Sequence, residues 1–112
     1  MTWSIDARIP ITEIADPAAL AAGTALLAEV GADAPADAER FQPDAPHNPG
    51  CACCLGRSDL ALALDRLFQA RVRGTRPWFA KVAVLAPSAA GRAALAAALA
   101  EDQLTRARYR GT

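Results

Sequence analysis

The chain has 112 residues, with twelve acids balancing twelve bases for a formal net charge of zero. That length fits one domain, 1–112, with a modest core, and the charge balance gives no broad pull toward nucleic acid or an anionic membrane. Arg92, Glu101 and Asp102 interrupt the alanine-rich stretch 93–100, so no segment reads as a membrane span. No basic start runs into an apolar stretch at the N-terminus, and the cytoplasm is the expected location.

Residues 9–14, rich in isoleucine with Pro10 near the start, read as a strand. Asp16 and Pro17 then read as the N-cap and first position of a helix, with Leu20, Thr24 and Leu27 on one face and Gly31 at its C-terminal end. From 32 to 50 the periodicity fails. Pro35, Pro43, Pro46 and Pro49 fall there among acids, which predicts a long loop. Ser58 can cap a second helix that shows Leu60, Leu64, Leu67 and Phe68 at helical spacing and closes at Gly74. Residues 79–86 read as a buried strand parallel to the first. Pro87-Ser88 turns into a last helix with Leu95 and Leu99 one turn apart, its start weakened by Gly91. Arg106, Arg108 and Arg110 read as a solvated tail. The order is α/β, with a very narrow sheet of two evident strands. Unpaired strand edges predict a partner or a second copy of the chain, a homodimer, that completes the sheet.

All three cysteines lie within one short window, Cys51, Cys53 and Cys54, which is no disulfide framework. Cys51 and Cys54 have the C-x-x-C spacing that aims two sulfurs at one point, and Cys53 adds a third soft ligand. Thiolates select Zn²⁺, Cu(I) or another thiophilic ion. His47, the one histidine, is the candidate fourth ligand, with Asp44, Asp59 or water as the other choices. A helix start just beyond the cysteines would lower their pKa. On spacing alone, a thiol–disulfide pair with a spare cysteine and simple packing of small side chains stay open beside metal binding.

The stretch Gly50-Cys51-Ala52-Cys53-Cys54-Leu55-Gly56-Arg57-Ser58-Asp59-Leu60 resembles the metal motif of the CobW family of GTP-dependent metallochaperones. Ile9-Pro10-Ile11-Thr12 is similar to that family's first strand, and Thr24-Ala25-Leu26-Leu27 to the helix after its phosphate-binding loop. Residues 71–85 resemble the end of a helix and the strand after it, and Asp102 with Tyr109-Arg110 resembles a downstream Asp and Tyr-Arg pair. The resemblance implies an incomplete P-loop-NTPase-like parallel sheet with flanking helices. It also implies metal, zinc or cobalt, held by Cys51, Cys53 and Cys54, and a full-length relative or a client metalloprotein as partner.

The nucleotide machinery of that family cannot be written on this chain. A phosphate-binding loop needs glycines, a lysine and a Ser/Thr, and a guanine site needs Asn-Lys-x-Asp. The single lysine is Lys81, followed by Val82, and alanines and Pro17 fill the stretch from Asp16 to Gly23. Thr24 stands near the family's Mg²⁺ position, but a hydroxyl bonded back into its own helix is expected there. After the second strand Leu85-Ala86-Pro87-Ser88 lacks the family's acid. The expectation is a metal-binding protein without GTP or enzymatic activity; the alternative is an interaction module or a degenerate remnant without metal. Stability unchanged by chelation would favour that alternative. Ser88 reads as a helix cap, Asp59 as an acid serving its helix start, and Trp3 and Trp78 as core or edge packing.

Overall fold

A computed structural model describes residues 6–43 and 57–112. Five strands form one sheet: β1 (Ile9–Ile14), β2 (Thr24–Glu29), β3 (Glu39–Phe41), β4 (Lys81–Leu85) and β5 (Tyr109–Gly111). Three helices follow the later strands: α1 (Asp59–Arg73), α2 (Ala89–Glu101) and α3 (Gln103–Arg108). The strand order is β3-β2-β4-β1-β5 and every pairing is parallel. The α/β class, and the parallel pairing of β1 with β4, are as the sequence leads one to expect.

The sheet is wider than expected because β2 is a strand. Asp16 and Pro17 do open a helical turn, with the Asp16 carboxylate accepting the Ala18 N–H at 2.9 Å, but it is a 3-10 turn that ends at Ala19. Residues 20–23 then lead into β2, and Leu20, Thr24 and Leu27 share no helix face. Alanine, leucine and glutamate favour helix locally. Burial overrides that preference: β2 lies between β3 and β4 and is covered on both faces, and such strands read as unbroken apolar runs. Gly31 belongs to the turn that ends this strand, where the Ala32 N–H reaches the Glu29 carbonyl at 3.0 Å. The stretch expected as loop contains β3, paired through Leu27 with Glu39 and Glu29 with Phe41. Pro10, which has no N–H, precedes the β1–β4 register that runs from Ile11 with Val82.

Side-chain alternation divides the core between the faces. Ile9, Ile11, Ala25, Leu27, Val82 and Val84 meet α1 and α2, whose Leu60, Leu64, Leu67 and Leu95 are buried against them. On the other face Leu26, Ala28, Ala83 and Leu85 are covered by Leu20 from the β1–β2 connection and Ala32, Ala34 and Ala38 from the β2–β3 connection. The β1–β2 connection crosses β4 on that second face. The β4–β5 connection crosses β1 on the helical face. Adjacent strands β1 and β4 therefore send their chains in opposite directions, which makes their carboxyl ends a topological switch point.

α1 is bounded by its expected signals. The Ala61 N–H donates to Ser58 Oγ at 3.1 Å, Asp59 occupies the first turn, and Gly74 closes the helix at φ +74°, where a β-carbon would be strained. The C-terminal arginines are not a free tail. Arg108 binds Asp65 and lies over Phe68, and Arg110 is on β5. Tyr109 between them is buried, its hydroxyl donating to the Leu64 carbonyl at 2.7 Å.

Candidate functional site

His47, Cys51, Cys53 and Cys54 lie outside the described residues, as do Trp3, Asp44 and Gly50. The flanks of the cysteine-bearing segment are described, and they meet. The Gln42 N–H, just beyond β3, donates to Asp59 Oδ2 at 2.7 Å. The chain thus leaves the carboxyl end of the sheet and returns, at the N-terminus of α1, to the same place. Asp59, one candidate fourth ligand, has this carboxylate oxygen engaged by Gln42. On the returning side Arg57 binds Asp102 through two hydrogen bonds of 3.1 Å and approaches Asp65 at 3.8 Å. Burial by itself would raise the Asp102 pKa. The Arg57 guanidinium, with the Thr105 N–H and hydroxyl, outweighs it and holds the carboxyl below its usual range. Among the described residues, no three His, Cys, Asp or Glu side chains gather as a metal-binding group.

The switch point holds a crevice of about 430 Å³, with Glu13, Ile14 and Ala15 from the end of β1 on one side and Leu85, Ala86, Pro87 and Arg92 on the other. Arg92 Nη1 donates to the Pro87 carbonyl at 2.9 Å and the Ala86 carbonyl at 3.4 Å, which fixes the guanidinium at the rim. Beside it a carboxylate is bound at the start of α2. Glu29, the last residue of β2, is 9% exposed, and its Oε1 accepts the Ser88 hydroxyl at 2.6 Å while Ser88 Oγ accepts the Gly91 N–H at 2.9 Å. A β-carbon on Gly91 would fall 1.9 Å from Glu29 Oε1. Gly91, expected to weaken the helix start, makes room for this buried acid. The Ser88 hydroxyl is used twice in structure, and no histidine is described near it, so it caps its helix as expected. The sequence reading missed Glu29 and Arg92. A lone acid closing an apolar strand, and a glycine in the first turn of a helix, were the available signals.

The stretch from Asp16 to Gly23, where the sequence offers no phosphate-binding loop, follows the β1 end of this crevice and does not form an anion cradle. Its 3-10 turn is capped by Asp16, and Thr24 is the first residue of β2, in register with Lys81 of β4. The expected bond of the Thr24 hydroxyl into its own helix is therefore replaced by a strand position. Lys81 itself starts β4, at the amino edge of the sheet, away from the switch point. Trp78 is not in the core. It is 67% exposed, and the Arg71 guanidinium lies 3.6 Å from its ring centroid.

Comparison of the chain with protein-family models, with curated proteins and with solved structures gives no match. No helix among the described residues is long and apolar enough to cross a membrane.

Proposed function

We propose that this chain is a cytoplasmic metal-binding protein that holds a thiophilic ion, zinc first and cobalt second, on the thiolates of Cys51, Cys53 and Cys54 with His47 as fourth ligand. The Cys-x-Cys-Cys motif, and its resemblance to the CobW-type metallochaperones, carries the chemistry: three thiols and an imidazole are a tetrahedral zinc donor set. One structural observation supports the reading most. The flanks of the cysteine segment are joined by the Gln42–Asp59 bond at the N-terminus of α1, a helix of 15 residues, whose positive end would favour thiolate over thiol in a cysteine brought to it. Metal would be received and released by ligand exchange among thiolates, with a full-length CobW-family protein or a client metalloprotein as the other party.

GTP has no part in this proposal. Support comes from the 3-10 turn at Pro17–Ala19, from Thr24 in a strand, and from the sole lysine at the amino edge of the sheet. A lysine that serves β- and γ-phosphates must stand beside the loop at the carboxyl end of β1. No catalytic residue is assigned.

The test is elemental analysis of protein purified under reducing conditions, beside a Cys51→Ser, Cys53→Ser, Cys54→Ser variant. Near-stoichiometric metal in the natural chain and none in the variant is the expected result. Metal-free protein that cannot be reconstituted would leave the alternative, an interaction module without metal.

A further inference from the structure

The amino edge of the sheet carries a second feature, away from the switch-point crevice and from the Gln42–Asp59 bond. A groove of about 310 Å³ opens between α1, the 74–79 connection and the start of β1, lined by Ile9, Phe68, Arg71, Val72, Trp78 and Arg108. Trp78 and Val72 are 67% and 63% exposed. Singly such residues are ordinary on a surface; here two of them rim one concavity whose floor is also apolar.

The cations of this groove are unequal. Arg108 binds Asp65 and lies 4.2 Å over the Phe68 ring, and Arg8, at the rim, binds Asp6 at 2.8 Å. Arg71 is held between rings, 3.6 Å from the Trp78 centroid and 5.5 Å from that of Phe79. Among the described residues no carboxylate lies within ion-pair distance of it, and its Nε is buried without a hydrogen-bond partner. Asp44 is the one acid of the sequence outside those residues. Stacking has already removed much of the side chain's freedom, so a carboxylate arriving at the guanidinium would meet an oriented donor.

We propose that this groove docks a segment of a partner protein in which a carboxylate sits beside an apolar side chain, the carboxylate on Arg71 and the apolar group against Val72 and Trp78. Charge complementarity selects this occupant. A nucleic-acid strand needs an open aromatic face for its bases, and the Arg71 guanidinium already lies on Trp78. A phosphate chain or an anionic bilayer would also meet Asp6 and Asp65, which neutralise the other two arginines. A concave groove suits a protruding side chain better than it suits a flat lipid surface.

The full chain can be tested on an array of short capped peptides that place Glu at different spacings from Leu or Phe, each with a Gln-substituted copy. Hits are then titrated by fluorescence of the tryptophans. The expected result is binding by a subset of Glu peptides that falls at least about tenfold in the Gln copies and in Arg71→Gln protein, the size of a lost charge-assisted bond. Val72→Glu, at an exposed position that should leave the circular dichroism spectrum unchanged, should repel the same peptides. The proposal is overturned if no Glu peptide binds, or if the Gln copies bind as well as the originals. It is equally overturned if phosphatidylserine vesicles or single-stranded RNA bind in an Arg71-dependent way where the peptides do not.

Discussion

Glu29 and Gly91 show how one residue can decide the meaning of another. The carboxylate of Glu29 is buried, yet it has the Ser88 hydroxyl as donor and the start of α2 beside it, where negative charge is favoured. Only a glycine at position 91 leaves room for that carboxylate, and the β-carbon of Ala86 would be a second obstacle, 3.2 Å away. Gly91→Ala therefore gains helix propensity and loses more by displacing Glu29, with an expected net destabilisation of about 1–3 kcal/mol. Urea denaturation measures it, and the cost should shrink in a Glu29→Ala background. Tyr109 makes the second residue-scale prediction. Burial pushes its phenol pKa well above the usual value, with Asp65 nearby adding to the rise and Arg108 and Arg71 opposing it. The folded chain keeps this proton after the unfolded chain has lost it, so stability is lost as pH rises beyond about 10. Tyr109→Phe should lose about 1 kcal/mol at neutral pH, for the bond to the Leu64 carbonyl, and should decline less steeply in alkali.

At the scale of elements, the sequence was legible where signals were local and unopposed. Ser58, the leucine spacing and Gly74 delimit α1, and Ser88 delimits α2, because caps act within one turn. β2 reads as helix in the sequence because Ala25, Leu26, Leu27 and Ala28 are buried on both faces, and such a run has the composition of a helix and no period of its own. Its identity depends on β3 and β4, which are distant in sequence or too short to see. The Asp16-Pro17 signal was genuine, and it capped a turn instead of a helix. Asp102 also escapes local reading. It ends α2, caps α3 through the Thr105 N–H at 2.9 Å, and ties both to the residue before the α1 cap through Arg57. Asp102→Ala should cost about 2–4 kcal/mol, since it removes a cap and leaves Arg57 partly buried without its best partner. Its folded pKa is lowered, so its contribution is complete above the ordinary carboxylate range and disappears as pH falls through the folded value. Acid titration of circular dichroism should show the natural chain losing more stability than Asp102→Asn below about pH 4.

At the scale of the whole molecule, the described residues make a core of their own, and the proposed chemistry belongs to residues outside them. Among the described residues, seventeen buried side chains from every strand, from α1 and α2 and from the turns at Phe79 and Ala86 make the principal core. The proposed donor set rests on sequence alone, because the chelation proposed for Cys51, Cys53 and Cys54 is local in the chain. The crevice and the Arg71 groove are not legible in the sequence, since each is assembled from segments that meet only through the crossovers of the sheet. A zinc finger is unfolded without its ion because the metal replaces a core. Here the core stands on leucine and valine packing, and a local thiol cluster can also bind zinc in the unfolded chain, which cancels part of any linkage between binding and folding. Chelation should therefore strip the metal and leave the fold intact, with Tm lowered by no more than about 5 °C, or roughly 1 kcal/mol. Scanning calorimetry before and after a strong chelator, on samples whose zinc content is known, measures this directly. Unchanged stability after chelation, which the sequence alone would count against bound metal, thus carries no such weight for this fold, and metal content is what separates the two functions. Unfolding on chelation would instead show that the cysteine segment contributes to the core, and that the metal holds the carboxyl end of β3 to α1 where the Gln42–Asp59 bond alone does not suffice.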